Sequence, residues 1–181
     1  LARPLLRRIH RSPHPHDRIR SSDTSAERSL PGEKAVVTAD DTLKNKHGFV
    51  ETPRYPADQY PLAVDVVRHV GEAVAIVAAE DADSCRRALA AIAVEYQPLV
   101  STLDAETALA AGEVMAQWKV RRGEASIALS RSDLVVVEET YRTPWQAHVS
   151  LEPQGALALP DGWGGVVVHG SPESPFSVPR A

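Results

Sequence analysis

The stretch from Pro61 to Tyr96, PLAVDVVRHVGEAVAIVAAEDADSCRRALAAIAVEY, restricts the fold more than any other part of the chain. Val74 to Ala79 (VAIVAA) is a short uncharged run between Gly71 and the acidic pair Glu80-Asp81. That length and those flanks predict a strand buried on both faces. Asp81 or Asp83 can accept hydrogen bonds from the first free amides of a following helix. Cys85, Leu89 and Ile92 recur at i, i+4 and i+7 around Ala88, so one apolar stripe faces a sheet while Arg86 and Arg87 face water. Val94 to Tyr96 returns as a strand that Pro98 stops. Strand, helix and strand on such short connections predict a helix laid on one face of a sheet.

The rest of the chain divides by texture. Residues 1 to about 30 are rich in Arg, Pro and Ser, with Ile9 and Ile19 flanking the turn-prone RSPHPHDR, Arg11 to Arg18. A turn at Ser29–Gly32 precedes a short strand, Lys34–Thr38, and Asp40-Asp41 open a helical turn. Lys44 to Tyr60 is polar and Pro-bearing and reads as a loop. After the central unit, Asp104–Ala111 reads as a helix capped by Asp104 and ended by Gly112. Residues 112–125 are irregular, and Ser126–Ser132 reads as a helical turn. Asp133–Arg142 (DLVVVEETYR) is strongly strand-forming. Leu151–Leu159 and Val166–His169 are further β segments, the latter two joined tightly by Asp161–Gly165. These readings give an α+β chain with residues 1–104 as one domain, 105–132 as a linker and 133–181 as the start of another.

Composition excludes several classes. With 43% hydrophobic and 24% charged residues the chain can bury a core. A net charge of −4 gives no reason to expect a nucleic-acid partner. The single cysteine, Cys85, rules out an intrachain disulfide and a thiolate cluster for zinc or iron–sulfur, and is consistent with a reducing, cytoplasmic setting. No apolar run reaches the length that spans a membrane, and Leu5-Leu6 is too short an apolar centre for a secretory signal. A start at Leu1 rather than Met reads as a fragment or a processed subunit. Phosphate loops (GxxxxGK), GxGxxG, GxSxG and HExxH are all absent, so a self-contained nucleotide enzyme or hydrolase is unsupported.

Five segments in order carry a resemblance. They are RSPHPHDRIRSSDTS (Arg11–Ser25), LPGEKAVVTADD (Leu30–Asp41), YPLAVDVVRHVGEAVAIVAAED (Tyr60–Asp81), YRTPWQAHVSLEPQGALA (Tyr141–Ala158) and SPESPFSVPRA (Ser171–Ala181). Together they resemble the large subunit of the molybdenum hydroxylases: xanthine dehydrogenases, aldehyde oxidases, aerobic carbon monoxide dehydrogenases and hydroxybenzoyl-CoA reductases. The resemblance implies an α/β hammerhead domain followed by the first strands of a molybdopterin-binding domain. It also implies a molybdopterin cofactor completed by other segments, with iron–sulfur clusters and FAD on partner chains or domains. The implied reaction is hydroxylation of an aldehyde, N-heterocycle or related substrate with water-derived oxygen. Pro56–Gly71 resembles the hydroxybenzoyl-CoA reductase and carbon monoxide dehydrogenase branches more than the animal xanthine oxidases.

The departures are specific. The family's glycine-rich cofactor loops and its metal-side glutamate base have no counterpart here, so no catalytic residue is assigned. Before Arg11 the family's Gly-rich strand is missing. Ser171-Pro-Glu173 stands where the family has Ser-Thr-Gln, whose glutamine directs its amide at an oxo ligand of molybdenum. Glu173 is therefore the cofactor-binding candidate, and an ionised carboxylate there could not donate that hydrogen bond.

Other candidates have plainer readings. His10, His14 and His16 could ligate a metal, but prolines between them favour turn and packing roles. His148 and Glu152 would share a face of a helix or a strand, as an acid–base pair must, although the family uses this region to shape the cofactor domain. Trp145 and Gln146 read as core and cap. Arg68 and His69 beside Gly71 could meet an anion but fit a hairpin or strand edge better. Cys85 on a buried stripe reads as an inert thiol. A non-catalytic hammerhead-type assembly or binding module is the alternative from a different functional class.

Overall fold

The computed structural model describes residues 4–25, 31–48 and 57–172. The chain forms two units, Leu1–Glu113 and Val114–Ala181.

The described residues of the first unit form two three-stranded antiparallel sheets. In one, β5 (Ala73–Ala79) lies between β1 (Leu6–Arg11) and β3 (Glu33–Thr38). In the other, β2 (Asp17–Asp23) lies between β4 (Val66–Val67) and β6 (Ala93–Pro98). Helix α1 (Ala82–Ala91) packs on β1, β5 and β3. Its start settles the choice of cap: the Asp81 carboxylate accepts the Ser84 amide at 2.7 Å. That bond, made to the ionised form, is the main reason the Asp81 pKa falls below its ordinary value.

The helix covers one face of its sheet. Ala75, Val77 and Ala79 are buried on the α1 side, whereas Ile76 and Ala78 alternate with them and are half-buried. The expectation of a strand buried on both faces is met on one, because only one face carries a helix. A second departure concerns β6. It does not rejoin the sheet of β5, since both edges of β5 are already paired with β1 and β3; it pairs with β2 instead.

Two small cores result. Ala75, Val77, Ala88 and Ile92 form one, beneath α1, and Ala63, Val67 and Val74 form the other. Val94 packs against both, so β6 ties the sheets together although they share no strand. Leu62, Val67, Val77 and Cys85 are the largest fully buried side chains, so the unit relies on close packing of small residues rather than aromatic bulk. The Gly32 turn shows how close that packing is. Gly32 has φ +86°, its carbonyl accepts the Glu80 amide at 3.0 Å, and a Cβ on it would lie 2.7 Å from Ser84 Oγ. Only glycine takes that backbone without strain. Strands β1, β2 and β4 lacked a clear sequence pattern, because Arg and Ser occupy exposed positions of the first two and β4 has two residues. Helix α2 (Ala105–Ala110) ends the unit, capped by Asp104, which accepts the Thr107 amide at 2.8 Å.

Among its described residues the second unit has a short helix, α3 (Ala125–Leu129), and one antiparallel hairpin, β7 (Ala156–Pro160) with β8 (Val166–Gly170). Asp161 Oδ1 accepts the amides of Trp163 and Gly165 at 2.8 and 2.9 Å, and Gly162 and Gly164 have positive φ, which closes the connection. Every described residue from 114 to 172 is exposed. The expected strand over Asp133–Arg142 is absent: Leu134–Tyr141 adopts no regular structure and pairs with no strand among the described residues. The expected strand over Leu151–Leu159 is confined to Ala156–Pro160. A β-branched run forms a strand only where a neighbour takes its amides and carbonyls.

Candidate functional site

The corner between β1 and β2 holds a buried polar cluster. Ser12 and Asp17 are buried. The Ser12 hydroxyl donates to His14 O (3.2 Å) and accepts the His14 amide (3.0 Å). His14 Nδ1 lies 3.6 Å from Asp17 Oδ2, and its ring leans on Tyr96 with 4.8 Å between centroids. Burial raises the Tyr96 pKa, the neighbouring Ser12 hydroxyl draws it back down, and the charge of Asp17 adds to the rise. Asp17 Oδ2 and the Tyr96 hydroxyl are buried without a well-aligned hydrogen-bond partner. The adjoining turn is fixed by reciprocal backbone bonds: the Ser12 amide donates to Glu72 O at 2.9 Å, and the Gly71 amide donates to Ser12 O at 2.8 Å. Arg11 adds a bond to Gly71 O at 2.7 Å.

This arrangement separates the three histidines. His14 belongs to the cluster. His16 Nδ1 meets Val100 O at 2.6 Å, and a carbonyl can only accept, so that nitrogen carries the proton. His10 is partly buried near Leu89; burial lowers its pKa, opposed by a hydrogen bond to the Leu89 backbone. Among the described residues no three His, Cys, Asp or Glu side chains converge to hold a metal. Arg68 and His69 form part of the turn that ends at Glu72: the Arg68 amide donates to the Glu72 carboxylate and the Glu72 amide to His69 O. Cys85 is fully buried and its thiol donates to Leu6 O at 3.4 Å, the setting of an unreactive thiol.

In the second unit, His148 and Glu152 are exposed in a stretch without regular structure, interrupted by Val149 at φ +43°. Their spacing therefore defines no common helix or strand face, and they are not brought together as a pair. Trp145, expected as core, is 99% exposed. Glu173 lies outside the described residues. Sequence reasoning missed Asp17 and Tyr96. The only available signal was an aspartate in a segment whose other charges are basic, and a tyrosine at the end of a strand.

The geometry thus defines a protein class by scaffold: two antiparallel sheets with one helix across the first, followed by a β unit whose described residues form no core of their own. Residues 3–100 match the aldehyde oxidase and xanthine dehydrogenase a/b hammerhead domain, and residues 108–181 match the molybdopterin cofactor-binding domain. The chain belongs to the aldehyde oxidase and xanthine dehydrogenase family of molybdenum hydroxylases. It is 34% identical over 174 residues to a probable xanthine dehydrogenase component of Bacillus subtilis, covering 91% of this chain and 23% of that protein. It is 31% identical over 176 residues to the nicotinate dehydrogenase large molybdopterin subunit of Eubacterium barkeri, covering 92% and 40% respectively. The aldehyde oxidoreductase of Desulfovibrio desulfuricans has the same fold, with a TM-score of 0.77, 23% identity, and coverage of 92% of this chain and 20% of that one. The chain therefore spans about a quarter to two fifths of the length of these curated relatives.

The family implies a molybdopterin cofactor. The described residues do not by themselves form a place for it. In the matching unit they enclose nothing, and no metal-ligating cluster exists among the described residues. No helix among them is long and apolar enough to cross a membrane.

Proposed function

We propose that this chain forms the hammerhead and the opening part of the cofactor domain in the molybdopterin-binding subunit of an enzyme that hydroxylates an N-heterocycle or an aldehyde. The observation that carries this reading is the order of the two domain matches, 3–100 then 108–181, along nearly the whole chain. The names of the two curated relatives, a probable xanthine dehydrogenase and a nicotinate dehydrogenase, favour an aromatic N-heterocycle. The molybdenum cofactor, when bound, would supply oxidative hydroxylation. The part assigned to the first unit is mechanical: a rigid two-sheet scaffold, tied by Val94, against which further polypeptide packs. The first 104 residues make up that scaffold, 105–132 link it onward, and 133–181 begin the cofactor domain. Iron–sulfur and FAD partners would carry the electrons away.

Glu173 takes the position nearest the cofactor in this proposal. A carboxylate there must be protonated to donate a hydrogen bond. Restoring the amide with Glu173→Gln should raise kcat at neutral pH and leave KM unchanged.

The test is purification of the whole assembly containing this chain, with molybdenum and iron measured per assembly and turnover assayed on xanthine, nicotinate and an aromatic aldehyde. Stoichiometric molybdenum with turnover of a heterocycle supports the reading. An assembly that forms intact without molybdenum overturns it in favour of a non-catalytic assembly module, which the self-contained core of the first unit would suit.

A further inference from the structure

We draw no further inference here: the strongest candidate, an open groove of about 360 Å³ between the β1–β2 turn and the extended stretch after β6, lined by His16, Arg68, Ser101, Thr102 and Glu113, presents a guanidinium and a carboxylate together, and nothing in the structure shows what covers it.

Discussion

The two units contrast in a way that reverses their sequences. The first has strands whose residues are often charged or small, such as LRRIHR in β1, yet its described residues form six strands and two buried clusters. The second contains the strongest β-forming run in the chain, Leu134–Tyr141, and leaves it unpaired among the described residues. Strand propensity is a preference for a pleated, half-buried surface rather than for a backbone shape on its own. In the first unit β5 gains partners on both edges and a helix on one face. In the second, β7 and β8 have only each other among the described strands, and an isolated hairpin is marginal in water.

The largest expected effect tests the contrast directly. In hydrogen exchange on the isolated chain, amides of β5 and β6 should be protected, while those of 114–172 exchange close to the rate of an unfolded peptide. In the complete assembly, 134–141 and 156–170 should become protected as well. Equal protection of both units in the isolated chain would break the comparison. Continued exposure of 134–141 in the complete assembly would break the proposal that further polypeptide covers it.

Core truncation sharpens the same point residue by residue. Val77 is fully buried under α1, and Val77→Ala should lower stability by about 2 kcal/mol from lost burial and the cavity left behind. Val136 is 58% exposed, and Val136→Ala should change stability by less than about 0.5 kcal/mol in the isolated chain. Denaturant midpoints for the two variants give the answer. Equal losses would show that the second unit has a core after all.

A glycine effect comes next in size. Gly32→Ala forces a left-handed backbone on a residue with a Cβ and drives that carbon toward Ser84 Oγ. The backbone part costs about 1–2 kcal/mol. The neighbouring hydroxyl is tied both to Asp81 and to Arg87, so it cannot turn aside freely. Gly162→Ala, at φ +81° with open space around it, should carry only the backbone part. It should fray the β7–β8 hairpin without touching the first unit's melting temperature.

Much of the first unit was legible because local signals agreed there. The α1 stripe, the Asp81 cap and the Pro98 stop all depend on neighbours within a few residues. What could not be read were the pairings. That β6 joins β2 follows from β1 and β3 having filled both edges of β5, a fact of the whole topology. The buried Ser12–Asp17–Tyr96 cluster was hidden for the same reason, since Tyr96 arrives from a strand far away in the chain. At Leu134–Tyr141 the sequence signal was strong and the strand did not form, because a signal for burial has no effect where the described chain offers nothing to bury against. His148 and Glu152 were paired by spacing on the assumption of a regular element, and that element is absent.

The smallest effect is a pH dependence that only the first unit should show. Burial lowers the His10 pKa in the folded chain. The unfolded chain takes up its proton near the ordinary histidine value of about 6.5, while the folded chain resists until lower pH. Between those points the unfolded state binds more protons, so stability rises with pH there. The contribution is complete above about pH 6.5 and is lost as the pH falls through the folded value. His10→Gln should remove that slope and leave the acid limb to Asp23, Asp81 and Asp104, whose pKa values are also depressed but whose windows open only below the ordinary aspartate value of about 3.9. Thermal melts from pH 8 to about pH 2 cover both windows and separate them. A slope that survives His10→Gln would assign it to another group in the first unit, whereas the same slope in a fragment carrying only 114–181 would remove the distinction between the units.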